Sequence, residues 1–199
     1  MNKVYIVITS LLFASIISLV NDCKAKPQKA NIVRSAEDYF NNMKTLKSKF
    51  VQINPDGSTS KGDFFLQRPG KFRLDYTNPD NLLLVSDGVK VTNYDKDLDA
   101  PTYLPIESVP AYVLLTKDVN FSGDVTVTET IHEDHYVYLS LAKTDDPQNG
   151  SLTLVFQKNP YKLKKWIVTD ADGNKTLVEL TNPQINVKLE SDLFKFSKY

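Results

Sequence analysis

Residues 62–87, GDFFLQRPGKFRLDYTNPDNLLLVSD, contain three strand patterns separated by two short turns. Pro69 and Gly70 mark the first turn, because proline presets φ and glycine accepts a positive value. The third pattern, 82–85, is apolar on both faces and therefore needs apolar contacts on both sides. In the first two patterns, large residues recur at every second position and so share one face of a strand: Phe64 and Leu66, then Phe72, Leu74 and Tyr76.

The same alternation continues on both sides of this stretch and predicts an antiparallel meander. Residues 31–46 instead repeat apolar side chains at helical spacing, which predicts an amphipathic helix. Residues 95–115 carry three prolines and predict a loop with one or two short helices. The predicted strands are 46–53, 61–67, 71–77, 82–86, 89–94, 124–131, 135–142, 151–157, 162–169 and 175–181, with a last short strand at 193–197.

A sheet of about eleven strands must bury one apolar face, and the segments 31–46 and 95–115 are the material that can cover it. The sequence therefore predicts a mainly β fold with a few helices: a half-open antiparallel β-barrel closed by a helical lid. A lid that fills a barrel can also move away, which turns the core into a hydrophobic cavity. Strand parity predicts the cavity residues: Phe50, Phe64, Leu66, Phe72, Leu74, Tyr76, Leu84, Leu139, Leu154 and Phe156.

The N-terminus is typical of a secretory signal peptide. Lys3 is followed by a run without charge, 4–20, and Cys23 and Ala25 are small residues at the positions that a signal peptidase reads. We therefore expect a signal peptide over 1–25 and a single domain over 26–199. Two alternatives stay open: an uncleaved membrane anchor, and a lipid attached to Cys23, the only cysteine of the chain.

Composition and motifs argue against several other classes of protein. The chain has 24 basic and 24 acidic residues, and cleavage after Ala25 would leave 22 and 23, so we expect no nucleic-acid partner. The two histidines, His132 and His135, flank a predicted turn without further ligands. A calcium loop that began at Asp170 would need glycine at its sixth position and glutamate at its twelfth, where the chain has Lys175 and Thr181. We expect no metal, no cofactor and no enzymatic activity, since no catalytic motif occurs.

A series of short motifs runs in order through the first half of the chain: F-x-Q at 50–52, G-D-F at 62–64, R-P-G-K-F-R-L-D-Y at 68–76, Pro79, L-V-S-D-G at 84–88 and Y-D at 94–95. Their order and spacing resemble the LolA family of periplasmic outer-membrane lipoprotein carriers. The resemblance implies an incomplete antiparallel barrel, closed by helices, whose hydrophobic cavity takes the acyl chains of lipoproteins.

The resemblance also implies partners and residue roles. Acylated lipoproteins would be the cargo, an inner-membrane ABC transporter would release them, and an outer-membrane receptor would take them over. Arg68 matches the family arginine that hydrogen-bonds the closed lid, and Phe72 matches an aromatic residue at the cavity mouth that acts in cargo transfer. Taken without the resemblance, Arg68 is more typical of a solvated charge at a strand end. We expect a periplasmic monomer.

Two further functions of the same fold remain open. A lipid-anchored outer-membrane receptor would be favoured by lipidation of Cys23. A lipid-sensing regulator of envelope stress would bind a signalling partner, but such regulators generally carry an additional domain, for which the strand count leaves no residues. A periplasmic hydrolase is supported by no residue pattern in the chain.

Overall fold

The protein, described by a computed structural model over residues 22–79 and 81–197, contains one α-helix, eleven strands and three 3-10 helices in that range. Most of the predicted signal peptide lies outside the described residues. No helix of the described part is long and apolar enough to cross a membrane. The elements are α1 (Asp22–Asn42), β1 (Thr45–Ile53), β2 (Thr59–Gln67), β3 (Lys71–Asn78), β4 (Leu82–Asp87), β5 (Lys90–Asp95), β6 (Ala100–Pro105), η1 (Ile106–Ser108), η2 (Tyr112–Leu115), β7 (Val125–His132), β8 (Tyr136–Lys143), β9 (Ser151–Gln157), β10 (Lys162–Thr169), β11 (Lys175–Ile185) and η3 (Ser191–Phe194).

The eleven strands form one sheet in the order β6-β5-β4-β3-β2-β1-β11-β10-β9-β8-β7, and all neighbours are antiparallel. The sheet is not closed, because β6 and β7 stand at opposite ends of this order. These two strands are consecutive in the chain. The segment that joins them, 106–124, must therefore cross from one edge of the sheet to the other. This arrangement confirms the predicted half-open barrel.

The main apolar core lies between the inner face of the sheet, α1 and the crossing segment, whose residues 106–121 we call the lid. One stripe of α1 supplies Ala36 and Phe40, which are 0% and 1% exposed. The apolar residues of this stripe recur at helical spacing, so they lie on one face of α1, and this face packs against the sheet. The lid contributes five buried residues to the same core: Ile106, Leu114, Leu115, Val119 and Phe121.

Strand β4 is covered on both faces, as its continuous apolar sequence predicts. Leu82 and Leu84 pack against the main core, whereas Leu83 and Val85 form a second cluster on the outer face. The C-terminal segment covers this second cluster: Phe196 packs against it. Every residue of β4 except Asp87 is therefore buried or half-buried.

The structure corrects the predicted end of the helix. The pattern predicts a helix over 31–46, but α1 begins earlier, at Asp22, and ends at Asn42, and Leu46 lies in β1. The error arises because Met43 and Leu46 fit the helical period, while Leu46 and Phe50 also fit the period of a strand. Asn186 binds this junction: its Nδ2 donates to the carbonyl of Asn42 (3.2 Å), and its Oδ1 accepts from the amide of Lys44 (2.8 Å).

Two further corrections concern strands. β6 lies inside the segment predicted as a loop; it is an exposed edge strand, where its prolines at both ends are tolerated because an edge needs fewer N–H donors. The predicted last strand at 193–197 is instead the 3-10 helix η3 followed by an extended segment. The predicted short helices of 95–115 are present as η1 and η2. The other strands lie within two residues of their predicted bounds, except that β11 continues to Ile185.

Gly62 offers a test of how tightly the inner face is packed. A Cβ atom at this position would meet the backbone oxygen of Asp75 and approach Cε1 of Phe50 to 2.7 Å. We expect Gly62→Ala to lower the free energy of unfolding in urea by about 1–3 kcal/mol, the usual cost of overpacking. Gly123→Ala is the control, because a Cβ there meets nothing within 4 Å. If Gly62→Ala and Gly123→Ala unfolded at the same urea concentration, the inner face would not be tightly packed at Gly62.

Candidate functional site

Apolar side chains of the sheet, of α1 and of the lid fill the interior of the half-barrel. The structure places all ten predicted cavity residues in this interior, where eight are buried and the other two, Leu74 and Leu84, are partly buried against the same core. Because α1 and the lid occupy the space in front of them, these side chains contact protein atoms. A ligand could reach them only if part of this cover moved.

Aromatic rings form much of the interior. Phe156 on β9 meets Phe40 and Tyr39 of α1 edge to face, with centroids 6.0 and 5.4 Å apart. Phe64 lies against Trp166 at 5.5 Å, which makes the single tryptophan part of the inner face. Such ring pairs add about 0.5–1.5 kcal/mol beyond their buried area. The α1 side of the cover is therefore firmly attached.

The lid is held near one end by Arg68, the residue that follows β2. Its Nη2 donates to the carbonyls of Thr116 (2.6 Å) and Lys117 (3.1 Å), and its Nε donates to Thr116 as well (3.2 Å). Nη1 donates to the carbonyl of Met43 at the end of α1 (3.4 Å). One guanidinium thus joins the lid, the helix and the sheet, using the several donors that only arginine offers in a fixed plane.

Arg68 stays charged although it is partly buried. Burial lowers the pKa of Arg68, and the nearby carboxylate of Asp118 opposes that shift. Since arginine has an ordinary pKa far above neutrality, its guanidinium remains protonated throughout the physiological range. The hydrogen bonds of Arg68 are therefore expected to be independent of pH in that range.

Three more groups tie the same end of the lid. The amide of Gly70 donates to the carbonyl of Leu115 (2.8 Å). Asn41 of α1 forms a reciprocal pair with Val119, accepting from its amide (2.8 Å) and donating to its carbonyl (3.0 Å).

Glu37, one helical turn before Asn41, accepts from the amide of Phe121 at 2.8 Å. Sequence reasoning missed Glu37 and Asn41. Their spacing of four residues places them together beside the apolar stripe of α1, but the same spacing is typical of a solvated helix face. Nothing in the pattern alone shows that a loop from a distant part of the chain needs their oxygens.

Phe72 lies next to this tied end. It is the second residue of β3, pairs with Leu66 of β2, and is 4% exposed within the main core. Gly70, two residues earlier, carries the amide that binds the lid. Phe72 is therefore buried below the rim, and only displacement of its cover would expose it.

The buried polar side chains of the described residues are uncharged. Tyr76 donates its hydroxyl to Oε1 of Gln52 (2.8 Å), and burial raises the pKa of Tyr76 while this hydrogen bond partly opposes the shift. Burial also raises the pKa of Tyr161, whose ring stacks on Phe156 at 4.8 Å. Both phenols stay protonated at neutral pH. The interior thus offers a neutral, largely hydrocarbon surface, which suits a ligand without charge.

A half-open barrel with a neutral apolar interior and a hydrogen-bonded lid belongs to the class of proteins that enclose apolar ligands. The family model described as outer membrane lipoprotein carrier protein LolA matches residues 41–197. The chain therefore belongs to this family.

Named relatives agree with this membership, and a solved structure shares the fold. Outer-membrane lipoprotein carrier proteins of Methylococcus capsulatus and Methylobacillus flagellatus are each 30% identical to this chain. The alignments cover 81% of both chains in the first case, and 84% of this chain and 85% of the relative in the second. A crystal structure of an uncharacterised conserved protein from Thermus thermophilus has the same fold, with a TM-score of 0.52, 11% identity, and coverage of 86% of this chain and 96% of that one.

The amides of Gly70, Val119 and Phe121 report whether the lid is closed, because each donates to an acceptor across the lid boundary. We expect Arg68→Leu to speed hydrogen exchange at these amides about tenfold or more, since hydrogen bonds to a charged donor contribute about 1.5–3 kcal/mol. Arg68→Lys should give an intermediate rate, because a lysine cannot reach several carbonyls in one plane.

The matched control is Arg73→Leu. Arg73 binds Asp75 (2.8 Å) and the carbonyl of Leu193 (3.4 Å), and the described structure shows no hydrogen bond from it to the lid. Exchange at the three lid amides should therefore stay at the wild-type rate in this variant. Equal acceleration by both leucine substitutions would mean that Arg68 acts through general stability and not through the lid.

Proposed function

We propose that this protein is a periplasmic carrier, without enzymatic activity, that encloses the acyl chains of lipoproteins released from the inner membrane and delivers them to the outer membrane. The observation that supports this function best is a neutral apolar interior whose cover is a hydrogen-bonded lid. Family membership supplies the cargo class, because the relatives are named outer-membrane lipoprotein carriers.

The energetics explain why such a carrier needs a lid that competes with its cargo. Burial of acyl chain is worth about 0.8 kcal/mol per methylene, so a long chain can contribute more than about 10 kcal/mol before costs. Release at the outer membrane would then be very slow. The lid buries five apolar side chains when it is closed. Each is worth about 1.5–3 kcal/mol on burial, so the closed lid offsets much of the cargo's affinity.

In our proposal, Arg68 sets the equilibrium between the closed lid and the cargo-bound state. It acts as a latch, because the closed lid gains the hydrogen bonds to Thr116 and Lys117 that an open lid loses. A stronger latch weakens cargo binding and favours release. Phe72, buried beside the latch, would be exposed by opening and would meet the cargo as it leaves.

Two membrane partners complete the proposed cycle. An inner-membrane ABC transporter would supply the energy to place acyl chains in the opened interior, and an outer-membrane receptor would accept them when the lid closes. The carrier itself then needs only to move between two states of similar free energy, which the competition between lid and cargo provides.

The test of this function is a release assay with bacterial spheroplasts. Purified residues 26–199 are added, and soluble complexes are examined for lipoproteins with their acyl chains intact. A one-to-one soluble complex supports the carrier. If an established carrier releases lipoproteins from the same spheroplasts and this protein does not, the proposal is wrong.

The latch predicts a specific change in affinity. Arg68→Leu removes hydrogen bonds that stabilise the closed lid, so the variant should bind an acylated peptide about tenfold to a hundredfold more tightly and transfer it correspondingly more slowly. Binding is measured by titration and transfer by the rate of loss to acceptor vesicles. Arg73→Leu is the control and should match the wild type. Unchanged affinity and transfer in Arg68→Leu would exclude the latch.

A further inference from the structure

The lid has two halves that are held very differently. Residues 115–121 are tied to α1 and to the β2–β3 turn by the hydrogen bonds of Arg68, Gly70, Asn41 and Glu37. Within the described residues, the hydrogen bonds of 106–113 are local and stay inside residues 105–116. The first half is thus kept in place mainly by apolar contact, and it can separate while the second half remains latched.

A pocket of about 410 Å³ lies under this first half. Its lid side is formed by Val109 and Val113, and its sheet side by Leu141, Leu152 and Val168. The two leucines are buried members of the main core, and the three valines pack against that core. The floor of the pocket is therefore the core itself. None of the residues predicted to face the cavity lines this pocket, which belongs to the opposite end of the lid from Arg68.

We propose that this pocket is the subsite where the first acyl chain of a lipoprotein inserts, before the latch of Arg68 opens. The inference rests on the proposed carrier function and adds the place and order of loading. A linear acyl chain enters between Val113 and Val168, displaces the first half of the lid from the core, and leaves the hydrogen bonds at 115–121 to break last.

The chemistry of the pocket selects such a ligand. The charged residues of its lining are exposed and of both signs, Glu107, Lys143, Asp170 and Asp172, and its uncharged polar residues are Ser108, Asn149, Ser151 and Thr169. A charged ligand in the floor would lose its hydration without gaining a partner. An acyl chain buries about 0.8 kcal/mol per methylene in that floor, and its polar head stays among the exposed charged residues and water. The described pocket therefore fits a chain that inserts end first.

Loading from the unlatched side also agrees with the competition described above. Each methylene that enters replaces a contact made by Val109 or Val113, so the exchange proceeds in small steps without exposing the core to water. Opening at the latched side first would break the hydrogen bonds of Arg68 before any acyl contact compensated for them.

The test fills the pocket with a ring and measures the rate of loading. Val168→Phe places the ring in the pocket, whereas Ile167→Phe, the matched control, places it on the outer face of the same strand. The probe is a short peptide whose N-terminal cysteine carries brominated stearoyl chains, which quench Trp166, the single tryptophan of the chain. Stopped-flow quenching gives the rate, and titration gives the affinity.

We expect Val168→Phe to load the acylated peptide about tenfold more slowly than Ile167→Phe does. The dissociation constants of the two variants should agree within about threefold, because the ring obstructs entry of the acyl chain more than its final bound position. Val109→Phe, which changes the lid side of the same pocket, should slow loading as well and serves if Val168→Phe proves unstable to heat. Equal loading rates in the pocket variants and the control would overturn the loading subsite while leaving the carrier function intact. Absence of quenching in the wild type would overturn both.

Discussion

The whole structure depends on covering the inner face of one open sheet with apolar atoms. A closed barrel would bury this face by itself, but here the two edge strands stay apart and the cover must come from elsewhere. The chain divides the task between α1, which is fixed by ring contacts with Phe156, and a lid that spans from β6 to β7. In the proposed carrier, α1 stays in place and the lid is exchanged for cargo.

Replaceability follows from how the lid is held. The apolar residues of the lid stabilise the closed state only by burying apolar surface area. The acyl chain of a cargo can bury the same area, so this term does not favour the lid over the cargo. Hydrogen bonds do distinguish them, because an acyl chain cannot replace the donors that Arg68 offers to Thr116 and Lys117. In the proposed carrier, buried apolar area thus allows lid and cargo to replace each other. The hydrogen bonds of Arg68 then set the equilibrium between the two states.

The sequence predicted the sheet well because alternation is a local signal. Each strand from β1 to β5 shows its inner face in its own residues, and the turns carry proline, glycine or asparagine. The same local logic failed at β6, whose prolines are acceptable only because it is an edge, and at 193–197, which covers the outer cluster instead of extending the sheet. Both outcomes depend on neighbours that a single segment does not reveal.

The site was predictable only in part, for the same physical reason. Strand parity indicates which side chains face inward, and the family resemblance points to Arg68. The partners of that arginine are backbone carbonyls, which every residue has, so no residue type marks Thr116 or Met43 as acceptors. The roles of Glu37 and Asn41 likewise depend on where the lid crosses α1, which is fixed by the topology of the complete sheet.

The central claim is that cargo and lid compete for one interior. The most direct measurement is hydrogen exchange at the amides of Val119 and Phe121, with and without a saturating acylated peptide. Most ligands slow the exchange of amides near their site. Competition predicts the reverse here: both amides should exchange faster when the peptide is bound, while amides in the central strands β1 and β11 keep their protection. Slower exchange at Val119 and Phe121 in the complex would show that the cargo binds beneath a closed lid, and the account would be wrong.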